Sequence, residues 1–288
     1  MEFRDIKDVL TFAAFRPEPD NASASWIKRF PNRRSVLINV SRNRVDWCML
    51  SKKQKVEDTG YAEGDFMDVA SGMADEWAAR TDDGWLGVSV NTRFIITLEH
   101  NLSRKAGWEE TIRNNPKGIL GTKYDRAKRY ALCHNPETSS SLLMACDNSL
   151  IQSIEDTLRN HNLRPARIAC GLFAITTHAL SRIDTDPAMK AQDVILITWS
   201  NQSLFVMRQK GGQWQDARCR SGLPPQDANA ISQIVKPFLK DATPNTRVLF
   251  IADEPGTEFE MQYLPQLGNF SITNLTEQHH LWNLLGRH

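Results

Sequence analysis

The chain has 288 residues, enough for one large domain or two of ordinary size. At 41% hydrophobic and 24% charged residues it has a globular composition, and a formal charge of +1 excludes the strong basic field that holds nucleic acid without sequence preference. The five cysteines, Cys48, Cys133, Cys146, Cys170 and Cys219, follow no CxxC or zinc spacing and read as reduced, buried thiols of a cytoplasmic protein. Residues 1–8 are charged without the apolar core of a signal peptide, and no run approaches the ~20 apolar residues of a membrane helix, so the expectation is a soluble chain without a membrane span.

Residues 1–35 read as an arm. FRPEPDNASASW has the mixed, aperiodic composition of a loop. Phe12, Phe15, Trp26 and Phe30 are too apolar for an idle tail and are expected to dock, on this chain's own body or on a partner, as interface anchors. A three-stranded meander follows: VLINV at 36–40, VDWCML at 45–50 after the turn SRNR, and a third strand ending near Tyr61. Met67, Val69, Ala70, Met73, Ala74 and Trp77 recur at three- and four-residue spacing and predict a helix over 66–80. WLGVSV, at 85–90, is apolar almost throughout, as in a strand covered on both faces.

The region 92–135 is less regular and is predicted to be a small inserted subdomain. It holds a strand in RFIITLEHNL, a short helix in GWEETIRNN ended by Pro116, and a strand in AKRYALCHN. SLLMAC, at 141–146, is predicted to return to the core sheet. Asp147 is predicted to cap a helix with Leu150, Ile151, Ile154 and Leu158 on one face. A strand at 166–170 runs into a helix at 173–182 that is apolar on most sides, hence core. The polar DTDPAMKAQD, with Pro187, marks the crossing between halves. The second half opens with another meander at 193–220, then a helix at 226–240, the strand RVLFIAD at 247–253, a short helix at 259–264, a strand in FSITNL and a last helix in EQHHLWNLL.

Each half therefore has a three-stranded meander, then a helix, then a buried strand. In its order and lengths the chain resembles the actin-like (ribonuclease H-like) assembly proteins of type IV pili (PilM) and the cytoplasmic domain of the type II secretion platform protein (GspL), over roughly 36–285. RPARIACGLFAITTHAL is similar to that family's strand-to-helix passage between halves, and ILITWSNQSLFVMRQKGGQW to its second phosphate meander. The resemblance implies an α/β fold of duplicated lobes, each a mixed sheet flanked by helices, with 36–185 as the first lobe (carrying the inserted subdomain) and 186–288 as the second with its C-terminal helix. It also implies an adaptor at the bacterial inner membrane, cytoplasmic and peripheral, joining an assembly motor ATPase to membrane-embedded partners.

In such proteins the first turn of each meander usually reads Asp-x-Gly, the glycine letting amide groups close on phosphate and the carboxylate serving Mg²⁺. Here those positions read Asn39, Val40, Ser41 and Thr198, Trp199, Ser200. Asn39, Ser41, Arg42, Thr198 and Ser200 are the residues that would line phosphates in a degenerate site, and ordinary turn chemistry explains them equally. The reading is a non-catalytic scaffold with no cofactor. The alternative is an ATP-binding protein of the same machinery with nucleotide-regulated partner binding. A small-molecule kinase would need a catalytic aspartate that the sequence does not place. His279 and His280 point about 100° apart on a helix and are a poor metal pair. The four carboxylates of DEPGTEFE, 253–260, read as a helix-start preference. Gly171 reads as relief of a turn. The basic groups Arg29, Arg33 and Arg34, and Lys123, Arg126, Lys128 and Arg129, read as solvated faces or partner contacts.

Overall fold

The computed structural model describes residues 33–90, 95–100, 114–132, 141–267 and 270–287. The arm anchors Phe12, Phe15, Trp26 and Phe30, with Arg29 and Cys133, lie outside them.

The first meander is β1 (Ser35–Val40), β2 (Arg44–Leu50) and β3 (Val56–Glu63), antiparallel throughout. Helix α1 (Phe66–Arg80) starts where the Asp65 side chain accepts the Asp68 N–H, and leads to β4 (Trp85–Val90), which pairs parallel with β1. Three strands, β5 (Ile95–His100), β6 (Lys128–Leu132) and β7 (Ser141–Asp147), form a separate sheet in the order β5-β7-β6. The strand at 141–147 is thus the centre of this small sheet rather than a member of the core sheet, because both of its edges are taken by β5 and β6. Pro116 opens helix α2 (Pro116–Leu120), and the short helix expected before it falls on residues 107–113, which lie outside the described ones. Asn115 accepts the Gly118 N–H as its cap, and a proline at the first helical position loses no hydrogen bond. Helix α3 (Asn148–Asn160) lays Ile151, Ile154 and Leu158 on the core. Asp147 stands at its start but turns its carboxylate to the Lys128 ammonium at 2.8 Å instead of to helix N–H groups. Strand β8 (Arg164–Cys170) completes the first sheet in the order β3-β2-β1-β4-β8.

Helix α4 (Gly171–Thr185) and the short α5 (Pro187–Lys190) lead into the second half. Strands β9 (Asp193–Ser200), β10 (Ser203–Lys210) and β11 (Gln213–Ser221) repeat the meander. After α6 (Ala228–Leu239), strand β12 (Arg247–Ala252) pairs parallel with β9, and after α7 (Glu258–Gln262), β13 (Ile272–Asn274) pairs parallel with β12. The order β11-β10-β9-β12-β13 matches the first sheet position for position.

Side-chain alternation divides the core into three layers. Val36, Ile38 and Val40 face outward with α1 and α3, and Ile195, Ile197 and Trp199 face outward with α6 and α7. Leu37 of β1 and Val194 and Leu196 of β9 face inward, where α4 is clasped between the two sheets. Phe173 of α4 meets Phe205 of β10 edge to face, with centroids 5.7 Å apart. Helix α8 (His280–Arg287) follows the second sheet in sequence but packs on α4, β4 and β1. Gly171 permits that approach: a Cβ there would stand 2.7 Å from Ser89 Oγ and 3.0 Å from Leu281 Cδ1, so its role is close packing rather than relief of a turn.

The basic groups are held mainly within the molecule. Arg33 pairs with Asp83, Arg34 with Asp82, and Arg129 makes a bidentate contact with Glu155 at 2.8 and 3.0 Å. Cys48, Cys146, Cys170 and Cys219 are in no disulfide among the described residues, and burial pushes the thiols of the first two up to about 12 and about 11.

Candidate functional site

In sheets with parallel pairs, side chains gather beyond the carboxyl ends of the strands. Here the carboxyl end of β1 and the amino end of the antiparallel β2 on one side, and the carboxyl ends of β9 and β12 on the other, border a common cleft of about 930 Å³. Asn39, Asp46 and Tyr61 form one wall; Asn201, Asp253 and Glu254 lie on the other.

The β9–β10 connection is a two-residue turn, with Ser200 opposite Ser203. Asn201 and Gln202 both have positive φ, 43° and 60°, as a type I′ hairpin turn requires. Asparagine tolerates this region and glutamine does so at some cost. Asp253, the first residue after β12, offsets that cost. Its Oδ2 accepts the Ser200 hydroxyl at 3.0 Å and the Asn201 N–H at 3.1 Å, and its Oδ1 accepts the Glu254 N–H at 3.1 Å. Burial pushes the Asp253 carboxyl up to about 6 against the pull of these bonds. A raised carboxyl in a cleft is also the mark of a catalytic base, but one oxygen of this one holds the turn and the other accepts the Glu254 N–H.

The turn reaches across the cleft. The Asn201 side-chain amide donates to Ser41 Oγ, so the β9–β10 turn closes directly on the β1–β2 turn, where the Ser41 N–H is held by the Arg44 carbonyl at 2.8 Å. Beside it, the His279 N–H donates to Glu254 Oε2 at 2.8 Å; burial raises the Glu254 carboxyl, and His279 opposes that rise. Farther along the wall, Arg44 Nε donates to Asp46 Oδ1 at 2.7 Å, and its guanidinium carbon lies 3.8 Å from the Tyr61 ring centroid.

Of the five residues expected around phosphate, Asn39 lines the cleft and is 6% exposed, Ser41 bonds Asn201, and Ser200 bonds Asp253. Thr198 is fully buried on the inward face of β9, with no hydrogen-bond partner for its hydroxyl among the described residues, and Arg42 is exposed. Trp199 does not crowd the turn. Its ring stacks on Phe259 with centroids 4.4 Å apart, on the outward face of the sheet. Sequence reasoning missed Asp253, which it grouped with the acids before α7. Only Glu258 and Glu260 sit in the first turn of that helix. The available signal was the repeat itself: residue 253 follows the strand that pairs parallel with β9, at the cleft end.

Among the described residues no group of three or more His, Cys, Asp or Glu side chains is arranged to hold a metal ion, and no helix is long and apolar enough to cross a membrane. His279 turns to Glu254, while His280 is buried with its Nδ1 accepting the Glu277 N–H at 2.9 Å.

No protein-family model and no curated protein matches the sequence. Solved structures do. The chain is similar to a Bacteroides thetaiotaomicron protein of actin-like ATPase fold and unknown function, with 8% identity and TM-score 0.55 over 89% of this chain and 97% of that one. It is similar to the PilM-PilN type IV pilus biogenesis complex, with 9% identity and TM-score 0.53 over 87% and 89%. It is also similar to the cytoplasmic domain of EpsL, an inner-membrane component of the type II secretion system of Vibrio cholerae, with 10% identity and TM-score 0.50 over 88% and 92%. At such identities the likeness is one of fold, and the fold is actin-like, as the duplicated sheets require.

Proposed function

We propose that this actin-fold chain is a non-catalytic scaffold of a type IV pilus or type II secretion assembly platform, a pseudo-ATPase whose work is to bind partner proteins. Its lobes are 36–185 and 186–288, the first carrying the inserted subdomain. Its partners are membrane-embedded platform proteins and the assembly motor ATPase, and it sits on the cytoplasmic side of the inner membrane.

One observation carries the reading. The donors that would meet a phosphate, the Ser200 hydroxyl and the Asn201 N–H, are spent on the protein's own carboxylate, Asp253. That internal anion stands where a phosphate's charge would be opposed, and the Asn201–Ser41 hydrogen bond closes the space between the turns. A nucleotide would have to break this bond, displace Asp253 and bring a metal to a turn pair that reads Asn-Val-Ser and Thr-Trp-Ser. The similarity in fold to the PilM-PilN complex and to the EpsL cytoplasmic domain supports the choice of machine.

The test is capture from a membrane extract. The tagged chain is expected to retain a polytopic platform protein or a secretion motor ATPase with Mg²⁺ and nucleotide chelated away. Retention that depends on Mg-ATP would return the account to a nucleotide-regulated protein.

A further inference from the structure

We infer that the open part of the cleft binds a guanidinium or ammonium group carried on an extended segment of a partner protein. The inference rests on the scaffold reading above and names the chemistry of one of its contacts.

Charge is the first argument. Asp46, Asp253, Glu254 and Glu258 line the cleft, against Arg44 and His279 alone. Both of the latter are committed: Arg44 to Asp46 at 2.7 Å, and His279 to Glu254. An incoming anion meets Asp253 and Glu258, which no cation in the cleft compensates, whereas a cation relieves them. Burial raises the carboxyls of Asp253 and Glu254, so both gain from a positive neighbour.

Asn39 is the second and independent argument. It lines the cleft and is 6% exposed, yet its side-chain amide makes no hydrogen bond among the described residues. The amide atoms still open onto the cleft, where they are available to a ligand. Its Oδ1 accepts an N–H and its Nδ2 donates to a carbonyl, the two groups that a peptide unit supplies. The walls suit the same ligand. Trp47, Tyr61 and Trp282 present aromatic surface, and the Arg44 guanidinium lying 3.8 Å over the Tyr61 ring centroid shows that this wall takes a cation face-on. Thr59 and Gly60 belong to β3, an edge strand of its sheet, beside which an extended segment can lie. A volume of about 930 Å³ accommodates a few residues.

The experiment titrates the full chain with acetyl-Gly-Arg-Gly-Arg-Gly-amide at low salt, by calorimetry and tryptophan fluorescence. Parallel arms use the citrulline peptide, free arginine and Mg-ATP. Saturable binding of the arginine peptide is expected, weakened about tenfold or more by citrulline or by Asp46→Asn with Glu258→Gln, as loss of charge-assisted hydrogen bonds implies. No saturation at millimolar peptide, equal affinity for the citrulline peptide, or free arginine binding as tightly as the peptide would each overturn the inference. Mg-ATP binding overturns the scaffold reading instead, so the two failures are distinct.

Discussion

Replacing Asp253 by asparagine isolates the carboxylate on which the clasped turns depend. In the folded chain its pKa stands at about 6 rather than 3.8, the largest cause being burial. A group whose folded pKa is raised contributes stability that is fully present below its unfolded value and lost as pH rises through the folded one. Between about pH 4 and pH 6.5 this side chain therefore makes the wild-type fold progressively less stable. The full shift of about two units corresponds to ~3 kcal/mol, an upper limit because the residue is only part-buried. Asparagine removes that cost and keeps one oxygen for the Ser200 hydroxyl and the Asn201 N–H, while the Glu254 N–H loses its acceptor at about 1 kcal/mol. The net expectation at pH 7.5 is a gain of ~1–2 kcal/mol, or a rise in Tm of roughly 2–8 °C for a chain of this size. At pH 4 the gain vanishes. Urea unfolding of both proteins at pH 4, 5.5 and 7.5 measures the difference directly. A variant less stable than wild type at pH 7.5, with a difference that does not change with pH, would refute the reasoning.

Gly171→Ala drives a Cβ into Ser89 Oγ at 2.7 Å and Leu281 at 3.0 Å, and is expected to cost about 1–3 kcal/mol despite alanine's better helix propensity. An unchanged Tm would mean that α8 does not depend on this contact. Arg208→Met strips Asp193 of its bidentate partner at 2.6 and 2.9 Å, leaving a largely buried carboxylate with only Thr246, at a cost of about 3–5 kcal/mol in urea unfolding. Arg208 holds the Asp193 carboxyl below its ordinary range, so the stabilising effect exists above the unfolded pKa and fades as pH falls toward the folded one. The variant should accordingly lose less stability than wild type on acidification.

The duplicated meanders were legible because strand alternation and helical spacing are local properties: Met67 to Trp77 and Leu150 to Leu158 mark their helices without reference to anything distant. Strand β7 was misplaced because SLLMAC is equally apolar in either sheet, and only its partners β5 and β6 decide which one it joins. Helix α8 could not be assigned from its own residues either. Leu281 and Leu285 are buried as any amphipathic face would be, and that they meet α4 follows from Gly171, 110 positions before Leu281 in the chain. Trp199 looked like an obstacle in a turn until the alternation Ile195, Ile197, Trp199 put its ring on Phe259. Asp253 was hidden by context, since an acid before a helix has a sufficient local explanation; its contact with Ser200 and Asn201 spans half a hundred residues and is visible only when β12 lies beside β9.

The central claim is that the protein's own groups have taken the phosphate space, and thermal unfolding with and without millimolar Mg-ATP tests it most directly. The account predicts an unchanged Tm. Nucleotide at 100 times its dissociation constant would add about 2.7 kcal/mol and raise Tm by several degrees, and a rise of that size, lost when Ser41 and Asn201 are replaced, would contradict it.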